Sequence, residues 1–244
     1  MYASDPLAPS LHAHLWQSCP DRPVLYFSPK SLQENYRRFA SGFDGLVTYV
    51  VKANASCLVL DNLALAGLTT FDVASPVEMQ TVRAAVPNAV LHYHNPVRSP
   101  IEIAAAKRFG IRSWSVDSRE ELDKLSGLPS GAEIAVRLHV PVAGAAYDFG
   151  LKFGAGPAQA AALLRCVKQR GLTPSLTFHP GTQCTDPAAW VQYIDVAYEV
   201  SQRAETALKR LNVGGGFTVW RERQAPDLER VFDRISDQTI ALFG

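Results

Sequence analysis

The sequence predicts an α/β protein built as a (β/α)8 TIM-type barrel that lacks its eighth strand, and three observations predict it. Short β-rich runs recur along the chain with helical stretches between them, the alternation that gives parallel strands. The 244 residues, 47% hydrophobic and 19% charged, suit one large domain with a full core. The first βα turn, Lys52-Ala-Asn-Ala-Ser56, has none of the glycines that open a doubly wound nucleotide-binding sheet, which is the alternative fold.

In chain order the β-rich runs are residues 24–27, 46–51, 69–73, 89–92, 112–116, 134–139, 173–178 and 210–213. The first belongs to a strand-and-helix lead-in, residues 1–45, and the barrel starts near residue 46. The other seven each head a strand-plus-helix unit. Three of the helices share one start, Ser75-Pro-Val-Glu78, Ser99-Pro-Ile-Glu102 and Ser118-Arg-Glu-Glu121, a serine cap with a glutamate three residues on. Later helices are expected over 157–170, 186–205 and 226–242, each opened by a proline near its first turn. A complete barrel takes about 250 residues and eight units, whereas here the last helix runs to the end of the sequence. The strands at 46–51 and 210–213 are then expected to lack a shared neighbour, with part of the last helix's apolar face (Val231, Ile235, Ile240, Leu242) left wet.

Composition excludes several classes of function. With 24 basic and 23 acidic residues the net charge is +1, so no broad electrostatic surface serves nucleic acid or an anionic membrane. No apolar run approaches the roughly 18 residues of a membrane span, and residues 1–20 have no basic segment followed by an apolar one, which reads as cytoplasmic. Cys19, Cys57, Cys166 and Cys184 lie scattered without ligand-like spacing, as free thiols do, and no metal site is expected.

In a barrel the residues closing each strand converge on one rim, where such folds carry their active sites. Those residues are Lys52, Asp72, Asn95, Asp117, His179 and Gly214-Gly215-Gly216. Lys52, following Tyr49-Val-Val, is expected to be desolvated at the barrel mouth, where its amine would become a nucleophile toward aldehydes; the competing reading is a lysine snorkelling to solvent. The glycine triplet either points amide groups at a phosphate or simply turns the chain. His179, in Phe178-His-Pro-Gly181, either stacks on a flat cofactor or is structural. Glu78 is explained by its cap alone, while Asp72 cannot be that cap and is expected on the rim. Arg137 and His139 share one face of their strand, lumen or helix side; a buried arginine in the lumen requires an anionic partner.

Seven motifs then fall in order: Tyr49-Val-Val-Lys-Ala-Asn54, Phe71-Asp-Val-Ala-Ser-Pro-Val-Glu78, Asn95-Pro-Val-Arg-Ser-Pro100, Ser115-Val-Asp-Ser118, Lys152-Phe-Gly-Ala155, Phe178-His-Pro-Gly-Thr-Gln183 and Asn212-Val-Gly-Gly-Gly-Phe217. From about Val24 onward the chain resembles the fold-type III pyridoxal-phosphate decarboxylases, the ornithine and diaminopimelate decarboxylase family, whose barrel is of the alanine racemase-like class. The resemblance implies pyridoxal 5′-phosphate at the barrel mouth and a Schiff base on Lys52. It also implies His179 stacked on the pyridine ring, Gly214, Gly215, Gly216 and Thr182 around the phosphate, and Asp72, Glu78 and Arg137 lining or bracing the site. Thr182 stands where the family usually has a serine. The short stretch between Arg137 and Lys152 is like the ornithine-type enzymes, which makes ornithine or lysine the expected substrate. His94 in place of a small residue, and Pro180 in place of an aliphatic one, depart from the family.

Members of the family continue with an eighth strand carrying Glu-Pro-Gly-Arg, whose glutamate pairs with the pyridine nitrogen, and with a C-terminal β-domain that completes the site across a homodimer. The resemblance therefore implies that residues 1–244 are the cofactor-binding barrel domain of a longer, homodimeric decarboxylase acting on a small amino acid. The alternatives are a non-catalytic or regulatory pyridoxal-phosphate-holding barrel and a diaminopimelate decarboxylase.

Overall fold

The computed structural model describes residues 11–142, 152–219 and 227–244. Seven parallel strands form one sheet in chain order: β1 (Tyr49–Val50), β2 (Thr70–Val73), β3 (Val90–Tyr93), β4 (Ser113–Val116), β5 (Glu133–Arg137), β6 (Thr173–Thr177) and β7 (Leu211–Asn212). Helices α1 (Leu11–Ser18) and α2 (Pro29–Gly42) precede the sheet. The strands alternate with α3 (Cys57–Leu65), α4 (Pro76–Ala85), α5 (Pro100–Arg108), α6 (Arg119–Lys124), α7 (Pro157–Gln169), α8 (Ala188–Arg203) and α9 (Leu228–Phe243).

Strand periodicity divides the sheet into two chemistries. Phe71 pairs with Leu91 and Trp114 with Ile134, and all four are buried within the apolar core that the helices cover. The alternate register runs Asp72, His92, Ser113, Glu133, a polar row across four strands. Two contacts show which side is concave. Asn212 of β7 reaches His94, just past β3 (Nδ2 to Nδ1, 3.1 Å), and Arg210 reaches Glu133 of β5 (3.3 Å). No flat sheet of this order permits such contacts, so the sheet is curled and its lumen is polar. Arg137 and His139 belong to this side.

Helix starts follow the predicted serines, with differences in the returning glutamates. Ser99 and Glu102 form a complete capping box. At α4 the Ser75 hydroxyl accepts from Glu78 N–H (3.3 Å), while the Glu78 carboxylate takes the N–H of Ala74 instead (2.8 Å). At α6 the Ser118 hydroxyl caps Glu121, whose carboxylate turns to Lys124. Ser99→Ala is therefore expected to cost about 1 kcal/mol in urea denaturation, and more than Ser118→Ala, where only one of the two reciprocal bonds exists.

One expectation needs correction, and two are given detail. Residues 24–27 are not a strand: no neighbour pairs with them among the described residues, and Leu25 is 98% exposed. The last helix is opened by Asp227, whose carboxylate accepts the Arg230 N–H at 3.0 Å, and the proline expected there, Pro226, lies outside the described residues. Of the last helix's apolar face, expected to be wet in part, Val231 and Ile235 are buried, Leu242 is half-buried and Ile240 stands out at 61%. The helix packs along α8, and α2 meets it at Phe232: Phe39 and Phe43 lie edge-on against that ring (5.1 and 5.9 Å), and Phe217 joins both Phe39 (5.3 Å) and Phe232 (5.7 Å). Trp190 of α8 stacks on Phe217 at 5.2 Å, and Arg38 donates through two nitrogens to Glu229. The first and last helices of the layer thus meet directly.

Candidate active site

The expected rim residues gather at the C-terminal ends of the strands. Lys52 lies in a single 3-10 turn (Val51–Ala53) directly after β1. The turn is fixed by the Tyr49 hydroxyl donating to the Asn54 carbonyl (3.1 Å) and by Asn54 Oδ1 accepting the Ser56 N–H (3.0 Å) at the start of α3. Lys52 is exposed, so the desolvation expected for it is not supplied by the described residues; β1 is a two-residue edge strand with only β2 beside it.

Asp72 sits in the lumen beneath the rim with its side chain 13% exposed. Its Oδ2 accepts from the Thr48 hydroxyl (3.1 Å), and its Oδ1 has no hydrogen-bond partner among the described residues, with His94 Nδ1 lying 3.6 Å away. Burial pushes its pKa up, opposed by His92, Thr48, Arg210 and Lys52.

His179 follows Phe178, which stacks flat on Tyr193 (4.5 Å, 9°) and so pins the end of β6. The His179 Nδ1 accepts the Gly181 N–H at 3.1 Å, which aims the imidazole back over the loop. Burial, then the charges of Arg137 and Lys52, push its pKa down to about 4 and keep the ring uncharged at neutral pH. Arg137 ends β5 with its guanidinium over the Phe153 ring at 5.0 Å; burial lowers its pKa and the facing Asp117 raises it. Asp117 also accepts the Gly154 N–H (3.1 Å), drawing the Lys152-Phe-Gly154 segment onto this end of the sheet.

Two loops form the cradle. Gly214 and Gly216 have φ of +73° and +85°, and a Cβ on either would fall inside van der Waals contact with a carbonyl oxygen, of Phe178 and of Gly181 respectively. The Cys184 N–H donates to the Gly216 carbonyl (2.8 Å), Val219 N–H donates to Gln183 Oε1 (3.0 Å), and Thr182 lies half-buried between them. A Cβ on Gly215 would sit 3.4 Å from His179 Nε2, so this glycine faces the imidazole. A bare backbone turn against an uncharged flat ring, with a lysine amine on the same rim and a buried carboxylate below, fits a flat, anionic aldehyde cofactor.

Glu78 stays at the start of α4, where its carboxylate accepts the Ala74 N–H and its own N–H donates to Ser75. Missed in the sequence was the polar floor: His92 Nδ1 lies 2.6 Å from Ser113 Oγ, which lies 2.9 Å from His94 Nε2, and Asn212 Oδ1 accepts the Gly214 N–H at 2.8 Å. The signal was present as polar residues at every second position of consecutive strands, a pattern that a fully apolar lumen does not give.

Residues 30–243 match the family described as "Pyridoxal-dependent decarboxylase, pyridoxal binding domain". The lysine/ornithine decarboxylase of Selenomonas ruminantium is 32% identical over 228 residues, covering 91% of this chain and 58% of the relative. The crystal structure of lysine decarboxylase from the same organism aligns with a TM-score of 0.82 at 28% identity, over 96% of this chain and 63% of that one. A lysine/ornithine decarboxylase from Vibrio vulnificus, complexed with putrescine, gives a TM-score of 0.82 at 25% identity, over 96% of this chain and 62% of that one. The chain spans about three-fifths of the length of these relatives. With the glycine cradle, the rim lysine and the imidazole in the positions described, and with this match over nearly all its residues, the chain belongs to the pyridoxal-dependent decarboxylase family, as its pyridoxal binding domain.

Proposed function

We propose that residues 1–244 are the cofactor-binding barrel domain of an enzyme that decarboxylates a basic amino acid, ornithine or lysine, to the corresponding diamine. The observation that carries this reading is the convergence of Lys52, His179 and the Gly214–216 turn on one rim, with His179 under the charge of both Lys52 and Arg137. Relatives named lysine/ornithine decarboxylase support the substrate class. Bound pyridoxal 5′-phosphate supplies an electron sink for the pair released when the α-carboxylate leaves as carbon dioxide.

The residues divide the remaining work. Lys52 is the amine that would hold the cofactor's aldehyde. Gly214, Gly215, Gly216 and Thr182 hold the phosphate, where backbone without side chains allows the closest approach. His179, neutral and steadied by Gly181, presents its face to the pyridine ring. Arg137, stacked on Phe153 and cationic, keeps positive charge at the rim, and Asp72 would hold a carboxylate in the lumen below the cofactor. Glu78 acts at one remove, by starting the helix that follows Asp72.

Borohydride reduction of the full-length protein with pyridoxal 5′-phosphate, followed by peptide mapping, is expected to leave the label on Lys52. Lys52→Ala should abolish the label and lower carbon dioxide release by roughly 10²–10⁴-fold, the range that one positioned catalytic group supplies. A label on Lys152 instead would sink the assignment. Release from ornithine or lysine is expected to exceed that from meso-diaminopimelate, and the reverse ranking would refute the substrate class.

A further inference from the structure

The lumen floor contains two histidines at alternate positions of one strand end, His92 and His94, and the direction of every hydrogen bond through them can be worked out. The starting point is the Gly214 N–H, a backbone donor whose direction is fixed. It donates to Asn212 Oδ1 at 2.8 Å, so the other end of that amide must be the Nδ2 donor. Asn212 Nδ2 lies 3.1 Å from His94 Nδ1, which must therefore accept and carry no proton. The neutral His94 ring then has its proton on Nε2, donates it to Ser113 Oγ at 2.9 Å, and leaves the Ser113 hydroxyl proton free to go to His92 Nδ1 at 2.6 Å. His92 carries its own proton on Nε2, a buried nitrogen with no partner among the described residues. The whole chain reads in one direction from β7 to β3 and β4, and the glycine turn is its anchored end.

We propose that His94 is a positioning residue for the cofactor's phosphate cradle: its unprotonated Nδ1 sets the Asn212 amide, and Asn212 in turn sets the Gly214 amide at the start of the glycine turn. The assignment deepens the proposed function and rests on it for the identity of the ligand, but the tautomer it requires follows from the polypeptide alone. The hydrogen-bonding neighbours of His94 are Asn212 and Ser113, so its effect on the turn is exerted through Asn212. The geometry also provides an alternative partner. Asp72 Oδ1, without a hydrogen bond, is 3.6 Å from the same His94 Nδ1. A protonated His94 would present N–H against the Asn212 N–H₂ and turn toward Asp72, letting go of the cradle.

The charged and titratable groups bearing on His94 are Asp72 of β2, His92 of β3, Glu133 and Arg137 of β5, Arg210 before β7 and Arg98 after β3. Burial, the largest influence, lowers the His94 pKa to about 4, so the neutral ring that the chain of bonds requires is the one present at neutral pH.

Two measurements on the full-length protein test this. Long-range proton–nitrogen correlation spectra without cofactor should show His94 at pH 7.5 as the Nε2–H tautomer, and a Nδ1–H tautomer overturns the proposal whatever the protein binds. Dissociation constants for pyridoxal 5′-phosphate and for pyridoxal, which lacks the phosphate, should separate: His94→Ala is expected to weaken the first by about tenfold, the worth of one lost buried hydrogen bond, and to leave the second unchanged. His94→Asn, whose side-chain oxygen can stand where Nδ1 stands, should restore the wild-type ratio. Equal weakening of both ligands by His94→Ala, with no rescue by asparagine, overturns the positioning role. If the wild-type protein binds the two ligands equally, the phosphate reading of the cradle fails, and the tautomer together with the Gly214 amide shift in His94→Ala decides the tie between His94 and the turn.

Discussion

Lowering the pH from about 6.5 to about 4 is expected to remove much of the folding stability of the unliganded protein. His92, His94 and His179 each have a pKa lowered to about 4, and burial is the largest cause in every case. In the unfolded chain an imidazole takes its proton near 6.5. Through this window the unfolded state therefore binds up to three more protons than the native state, and stability falls as pH falls. It is fully present above the unfolded value and stops declining near the folded one. The loss is on the order of 3 kcal/mol per imidazole, against a typical total of 5–15 kcal/mol. Asp72 acts in the opposite sense, since its raised pKa lets the native state take up a proton first on acidification, and this offsets part of the loss. Urea midpoints measured from pH 7 to pH 4.5 should fall steeply, and His92→Leu should make the slope shallower. A flat profile would show that the lumen histidines are solvated in solution.

Alanine at Gly214 or at Gly216 is expected to be the most damaging single-methyl change in the protein. Each position combines a left-handed backbone, which costs an L-residue roughly 1–2 kcal/mol, with a Cβ placed on a carbonyl oxygen of the facing loop. That oxygen belongs to backbone tied to β6 and cannot swing aside. The two loops must separate, with a loss of several kcal/mol in stability, in the range of strongly disruptive substitutions, and of cofactor affinity by more than tenfold. Gly215→Ala is the control. Its backbone is not left-handed and its Cβ would stand at ordinary distance, 3.4 Å, from the His179 ring. It should fold with a change in melting temperature of only a degree or two while altering the cofactor spectrum. Equal tolerance at all three positions would mean that the loops are not packed as described.

The strand-helix alternation and the serine caps were legible because both depend on local chemistry: a hydroxyl that satisfies the first N–H groups of a helix, and short apolar runs between them. The rim residues were legible for the same reason, each following directly on a strand. What the sequence did not reveal depends on contacts between distant segments. Leu25 and its neighbours have strand-like composition and no strand to pair with. The last helix packs along α8 and meets Phe39 and Phe43 through Phe232, contacts that local pattern does not predict. The exposure of Lys52 follows from the width of the sheet beside β1, and the floor of His92, Ser113, His94 and Asn212 exists because curvature brings β3 and β7 face to face.

The meeting of α2 and α9 bears on how the protein is made. Arg38 and Glu229 are 191 residues apart, and the aromatic side chains between the same two helices span a similar distance. At about 5–20 residues per second a ribosome needs roughly 10–40 s to cover that interval. Throughout it, Phe39 and Phe43 have left the exit tunnel without the surface that will bury them. The strands between them can pair in order as each emerges, and α2 can settle on α3 early, where Gln33 donates to Asn62 (3.0 Å), but its aromatic side chains wait for α9. The aromatic face of nascent α2 is therefore exposed until α9 is made, and slow translation of the later units would lengthen that exposure.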